Sequence, residues 1–359
     1  MKKLIAIFGV LAFTAGVAFS QSNIGNVTQS GTEQHAEVEQ TGGHIEAYVT
    51  QSNASNEAYV TQINQSELET NTIFAEVEQS GVGNDATIFQ THNGSGTTNN
   101  ADGPVQAFVD QSGDENTALQ VQGPQGGSGT LHFGTNTATI NQSGDNNFAS
   151  QNQLRYRNTA TIDQSGSGNT AMQAQDAELL EQDEGSVGTA LINQSGDNNI
   201  ATQEQNGWAN TVEAIQSGSN NQSYQNQINN SWVSEAFVVQ SGDGNLAVQD
   251  MVGRLNSARI EQSSDGNTAT QNQTAIGAAR GTDYSPFNKA EIFQLGGDGN
   301  IATQTQWSPA GDITLNDAHI TQDGSLNVAS QTQTGFENFS TIMQVGSTGS
   351  SATVTQTNP

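Results

Sequence analysis

Residues 136–153 read Asn136-Thr-Ala138-Thr-Ile140-Asn-Gln142-Ser-Gly144-Asp-Asn-Asn147-Phe-Ala149-Ser-Gln151-Asn-Gln153, one pattern, N-x-A-x-x-x-Q, written twice with the second copy eleven residues after the first. Within each copy Asn, Ala, the central residue and Gln stand two apart. In a strand they share one face, while Thr, Ser, Asp and Phe fall on the other. The link Gln-Ser-Gly-Asp-x-Asn supplies a glycine for positive φ and Asp or Asn residues that tolerate it, giving a tight strand-arc-strand. The period of two, with Gly-, Asn- and Asp-rich turns, excludes a helix.

The pattern recurs along the chain. First-arm glutamines are Gln29, Gln51, Gln79, Gln111, Gln142, Gln164, Gln194, Gln216, Gln240, Gln262, Gln294, Gln322 and Gln344. Their second-arm partners are Gln40, Gln62, Gln90, Gln122, Gln153, Gln175, Gln205, Gln227, Met251, Gln273, Gln306, Gln333 and Gln356. Only Met251 departs. The spacing within a pair is eleven, except Gln294 to Gln306 and Gln344 to Gln356, where it is twelve. Internal repetition of this regularity excludes disorder and predicts stacked units. First-arm centres are Val or Ile, with Ala214 the exception, and these β-branched residues suit a packed strand face.

The expected fold is all-β: a β-solenoid of about thirteen strand-arc-strand rungs, with two stacked parallel sheets and inward Asn, Gln, Ala and Ile ladders. Stacking places identical side chains about 4.8 Å apart, the cross-β spacing. A buried amide without partners costs about 1–3 kcal/mol. In a stack each amide donates to one neighbour and accepts from the other, so the same residues specify register. The expected self-assembly ladders comprise Gln29, Gln40, Gln51, Gln62, Gln79, Gln90, Gln142, Gln153, Gln164, Gln175, Gln194, Gln205, Gln240, Gln262, Gln273, Gln322, Gln333, Gln344 and Gln356, together with Asn116, Asn147, Asn169, Asn199, Asn245, Asn267 and Asn327. From the fourth unit onward the second-arm centre is usually Gln as well, whereas the first three units and the last place Val38, Val60, Ile88 and Val354 there.

The basic step of twenty-two residues is lengthened by insertions near 91–104, 123–135, 176–187, 274–287 and 307–315. These hold every proline except Pro359, in keeping with strands elsewhere, because proline cannot donate to a ladder. At the start, Lys2 and Lys3 precede an apolar run from Leu4 to Phe19, and Ala18 and Ser20 supply small residues before a cut. Residues 1–20 therefore read as a signal peptide, and 21–359 as the exported repeat region.

Composition narrows the function. Only 32% of the residues are hydrophobic and there are no cysteines, so neither a large apolar core nor a disulfide framework stabilises the exported chain. A net charge of −28 excludes nucleic acid as a partner. His35, His44, His92, His132 and His319 lack paired ligand spacing, and no phosphate-binding loop or nucleophile elbow occurs. No catalytic residue, metal site or cofactor is expected. Three other solenoid functions compare with a fibre. A polysaccharide lyase needs a catalytic cluster on one face. An ice-binding solenoid needs a flat threonine array, which Phe148, Tyr224 and Leu246 interrupt. A monomeric acidic surface adhesin or spacer needs terminal caps that block stacking.

The run Gln-x-Gly-x-x-Asn-x-Ala-x-x-x-Gln, as at Gln142, Gly144, Asn147, Ala149 and Gln153, resembles the curlin repeat of curli fibre subunits, and the resemblance covers nearly the whole mature chain. It implies a structural subunit of an extracellular functional amyloid in biofilm matrix and surface adhesion. It also implies export from a Gram-negative bacterium through the periplasm and an outer-membrane secretion pore, and homopolymerisation helped by a nucleator subunit. Curli major subunits usually have fewer repeats and begin with a Gly-rich, unrepetitive export segment. Here Val27 and Gln29 already belong to a repeat, and Asn136, Asn158, Asn210 and Asn256 stand where the family more often has Ser.

Overall fold

The computed structural model describes residues 23–65, 72–92, 104–123, 135–154, 157–176, 188–275, 287–309 and 315–358. The signal-peptide reading of residues 1–20 lies outside them. So does most of each expected insertion, although strands extend to His92, Asp176, Ala275 and Ser308 before the described chain breaks or turns away. Pro104 and Pro309 both lie outside strands.

The described residues hold twenty-six strands and no helix, in two compact units, Met1–Tyr156 and Arg157–Pro359. The first unit contains β1 (Asn23–Thr32), β2 (His35–Gly42), β3 (Ile45–Ala54), β4 (Glu57–Asn64), β5 (Ile73–Val82), β6 (Asp85–His92), β7 (Val105–Ser112), β8 (Thr117–Gln122), β9 (Asn136–Ser143) and β10 (Phe148–Leu154). The second begins with β11 (Thr159–Ser165), β12 (Thr170–Asp176), β13 (Thr189–Ser195), β14 (Ile200–Trp208), β15 (Thr211–Ser217), β16 (Gln222–Trp232), β17 (Glu235–Ser241) and β18 (Leu246–Arg254). It continues with β19 (Asn256–Gln262), β20 (Thr268–Ala275), β21 (Phe287–Gly296), β22 (Ile301–Ser308), β23 (Leu315–Asp323), β24 (Val328–Gly335), β25 (Phe339–Val345) and β26 (Ser351–Asn358). In each unit the odd-numbered strands form one parallel sheet and the even-numbered strands another, so that consecutive strands make one rung. The β-solenoid expectation therefore holds, with five rungs in the first unit and eight in the second.

Register follows the repeat. Gln29 pairs with Gln51, Ala47 with Ala75 and Ile260 with Ile292, so like lies over like. The twelve-residue spacing in the rung of Gln294 is absorbed by a bulge between Gln294 and Gly296, which leaves Leu295 outside the ladder and exposed. Across a rung, the β-branched residue of the first arm packs against the alanine of the second; Val238, Ile260, Ile292 and Ile320 share one core cluster with Ala247, Ala269, Ala302 and Ala329. The interior is thus one Ile or Val and one Ala wide at this layer, which is how a chain with little apolar material closes two sheets over a core.

The Ala214 exception has a local explanation. Val212 stands at the inward position that is alanine in the neighbouring rungs, so this rung has exchanged its small and large inward residues, both fully buried. Such a volume-conserving exchange keeps the core filled. At the arcs, Gly196 has φ 96°, and a Cβ there would collide with the carbonyl of Gly218 in the next rung, so only glycine fits. The last arc residue before the ladder asparagine, such as Asn198 or Asn220, is also left-handed, a conformation asparagine tolerates better than most residues.

Candidate self-assembly ladders

The inward parity of each arm turns four side chains per strand toward the opposite sheet. In the first arm one of those positions carries a glutamine ladder and in most second arms two do, and the amides are buried almost without exception. In the first-arm ladder of the first unit, Gln29 Nε2 donates to Gln51 Oε1 at 2.8 Å, Gln51 to Gln79 at 2.7 Å, Gln79 to Gln111 at 2.8 Å and Gln111 to Gln142 at 2.8 Å. In the second unit the same ladder runs without a break from Gln164 through Gln194, Gln216, Gln240, Gln262, Gln294 and Gln322 to Gln344, each step 2.8 or 2.9 Å.

The second-arm ladder connects Gln40, Gln62, Gln90, Gln122 and Gln153 in the first unit. In the second unit it connects Gln175, Gln205 and Gln227, is interrupted at Met251, and resumes from Gln273 through Gln306 and Gln333 to Gln356. A third ladder, of second-arm centres, joins Gln120 to Gln151 and then runs from Gln173 through Gln203, Gln225, Gln249, Gln271 and Gln304 to Gln331.

Every one of these bonds has the same sense: the amide nitrogen of one rung donates to the amide oxygen of the next rung in chain order. Most of these nitrogens also reach backbone on the other arm, as Gln62 does to Glu46 O and Gln153 to Thr137 O. The glutamines therefore tie rung to rung and sheet to sheet at once. Where the preceding rung supplies no donor, an acceptor is left over. Gln120 Oε1, following Ile88, and Gln273 Oε1, following Met251, are buried without a hydrogen-bond partner. Met251 itself is fully buried against Val212, Ala236 and Ala258.

The asparagines at the arc exit act differently from the sequence expectation of simple side-chain stacking. Their oxygens accept from backbone: Asn147 N donates to Asn116 Oδ1, Asn199 N to Asn169, Asn245 N to Asn221, Asn267 N to Asn245 and Asn327 N to Asn300, all within 2.8–3.0 Å. Their nitrogens donate to arc carbonyls, as Asn116 Nδ2 does to Ser112 O of its own arc at 3.4 Å and to Gly144 O of the next rung at 2.7 Å. Asn56, Asn84, Asn221 and Asn300 belong to the same series and are legible from their position two residues before the second-arm alanine, or Ser223 in the rung of Asn221.

Two other features escaped the sequence reading. Arc aspartates, expected as turn residues, also accept backbone N–H groups: Asp145 from Asp114, Asp197 from Ser167, Asp243 from Ser219 and Asp265 from Asp243. His92 is fully buried, because it occupies the inward parity two residues beyond Gln90, in register with Asn64. Among outward groups, burial, and then the adjacent Glu57 carboxylate, push the Asp85 carboxyl above its usual range.

The outermost rungs differ from the interior. In β1 and β2 the inward residues are only half-buried, and in β25 Phe339, Met343 and Val345 are 57%, 69% and 58% exposed. Among the described residues, nothing stacks beyond either rung.

The family model of the curlin associated repeat matches residues 316–346, which span one full strand-arc-strand from β23 and β24 into β25. No curated protein matches the chain.

Proposed function

We propose that this chain, whose residues 316–346 are a curlin associated repeat, is the structural subunit of an extracellular curli-like amyloid fibre that assembles by cross-β stacking. The observation that carries the reading is that the glutamine ladders reach both outermost described rungs with hydrogen-bonding capacity left over. Gln29 and Gln40 each donate to the next rung, and their Oε1 atoms accept from no described residue. A rung that ends in open amides is stabilised by another rung, and a second copy of the same chain supplies one with matched spacing.

On this reading the role is structural rather than catalytic. Export follows removal of residues 1–20, passage through the periplasm and an outer-membrane pore, and a nucleator subunit starts growth at the cell surface of a Gram-negative bacterium. Biofilm matrix and adhesion are the functions such a fibre serves. Seeded assembly tests the proposal. Purified residues 21–359, mixed with sonicated aggregate, should lose the soluble species and show unbranched fibres by electron microscopy. A folded monomer that persists for days at high concentration with seeds present supports the surface adhesin or spacer instead.

A further inference from the structure

We infer that the outward face formed by β20, β22, β24 and β26 binds ice, its threonine hydroxyls meeting the oxygen lattice of an ice surface. A single chain carries the whole face, so this activity goes beyond the fibre and does not depend on it.

The residues that interrupt the outward threonines, Phe148, Tyr224 and Leu246, lie in β10, β16 and β18. From β20 onward the even strands repeat a simpler pattern, with Thr268-Ala-Thr270, Thr303-Gln-Thr305, Thr332-Gln-Thr334 and Thr353-Val-Thr355-Gln-Thr357, every threonine outward. Parallel register aligns them into columns. Thr270, Thr303, Ser330 and Thr353 follow one another in one column, and Asn272, Thr305, Thr332 and Thr355 in the next. In β18 the two columns meet Val248 and Asp250, which bound the array. Trp307 enters only the third column, between Thr274 and Thr334.

The result is a two-dimensional grid, about 4.8 Å between rungs and about 6.6 Å between alternate residues of a strand. Both repeats are near those of oxygen on a prism face of hexagonal ice. Sheet twist would break such a match, and flat sheets are those stabilised by stacking or by side-chain ladders. Directly beneath this face two glutamine ladders run, from Gln271 through Gln304 to Gln331 and from Gln273 through Gln306 and Gln333 to Gln356. Threonine's branched Cβ restricts its rotamers, so hydroxyl and methyl are held in place before contact.

Among the described residues, no side chain of the two central columns makes a hydrogen bond, which leaves their hydroxyls available to an external lattice. Charge is absent too. β20, β22, β24 and β26 contain no Asp, Glu, Lys or Arg, in a chain whose net charge is −28. The odd strands of the same rungs carry Arg259, Glu261, Lys289, Glu291 and Asp317. Ionised groups hold hydration shells of their own that are costly to remove, whereas a grid of hydroxyl and methyl groups does not.

Ice-affinity partitioning of soluble residues 21–359, with slowly grown polycrystalline ice as the probe, tests this. The unsubstituted chain should concentrate in the ice and restrain grain growth on annealing, while an acidic bystander protein stays in the liquid. Thr305→Tyr/Thr332→Tyr, which roughens the central columns, should abolish both effects, and Thr161→Tyr, outward on β11, should leave them unchanged, with circular dichroism checking that each variant is folded. Trp307→Thr, which completes the third column, should strengthen both, and it alone decides if the tyrosine pair fails to fold. Exclusion of the unsubstituted chain from ice overturns the inference. So does weaker ice binding by Trp307→Thr, which would assign the effect to apolar contact, and so does ice binding that survives in Thr305→Tyr/Thr332→Tyr. Fibres that bundle less in the tyrosine pair, with no ice binding by the unsubstituted chain, make this face a contact between copies instead. Fibre formation is read separately by electron microscopy, so its failure and the failure of ice binding are distinguishable.

Discussion

Met251 interrupts a ladder that every other second-arm rung maintains, and the consequence is confined to its neighbours. Gln273 Oε1 is buried without a partner, while the thioether packs against Val212, Ala236 and Ala258. A buried acceptor left unmade costs about 1–3 kcal/mol, and each restored bond contributes about 1 kcal/mol. Met251→Gln fills the same space, gains a donor to Gln273 and an acceptor below Gln227, and loses some apolar contact. We expect it to raise unfolding free energy by about 1 kcal/mol. The converse change in the unbroken ladder, Gln240→Met, leaves Gln216 without its acceptor and Gln262 without its donor. It should lower stability by about 2 kcal/mol. Denaturant midpoints for the two variants check both signs; a Met251→Gln variant that is less stable than the parent would show that packing outweighs the ladder at this site.

At the scale of strands, outward neighbours are set by the same register that aligns the amides. Acids alternate with other residues so that few stack directly: Glu46 lies beside Phe74, Glu76 beside Tyr48 and Phe108, and Glu291 beside Arg259 and His319. Lys289 pairs with Glu291 at 3.0 Å. Among the described strand pairs, acid meets acid at Glu57–Asp85 and Glu78–Asp110. At the first of these, burial and Glu57 raise the Asp85 carboxyl pKa in the folded state above the unfolded value. The folded protein therefore binds the proton more readily, and this pair stabilises the fold only as pH falls through the raised value. Asp85→Asn should increase stability at neutral pH, by less than about 1 kcal/mol for a half-exposed group, and flatten stability between neutral pH and the carboxylate range. Melting curves across that range decide it: an undiminished rise in stability on acidification in the variant would assign the effect to other carboxylates.

Much of this was legible in the chain itself. The period of two, the recurrence of Gln142-like residues and the Ser-Gly-Asp-Asn arcs dictate rung, register and inward face, because a strand offers no other way to align so many identical positions. What was hidden depended on neighbours in space. The Val212 and Ala214 exchange is visible only when rung lies on rung. The aspartate acceptors of the arcs, and the asparagine oxygens that accept backbone N–H groups of the next rung, require arc geometry that sequence spacing does not supply.

For the whole molecule, the net charge of −28 opposes assembly even though few acids stack directly, because outward and arc carboxylates on adjacent rungs lie within a Debye length of about 8–10 Å at moderate salt. Arc aspartates such as Asp243, Asp265 and Asp298 follow one another along one edge, held by backbone N–H groups. Lag time for fibre formation should therefore shorten steeply as salt rises from low to seawater-like strength, and again as pH falls toward about 4. A lag time flat in both titrations would make the acidity a solubility device with no part in assembly. In the proposed fibre, copies stack rung on rung, with strands across the fibre axis. X-ray diffraction from aligned fibres of residues 21–359 tests it most directly. Cross-β stacking gives a sharp meridional reflection near 4.8 Å. Fibres with no meridional reflection at that spacing, or with it on the equator, would contradict cross-β stacking of this chain.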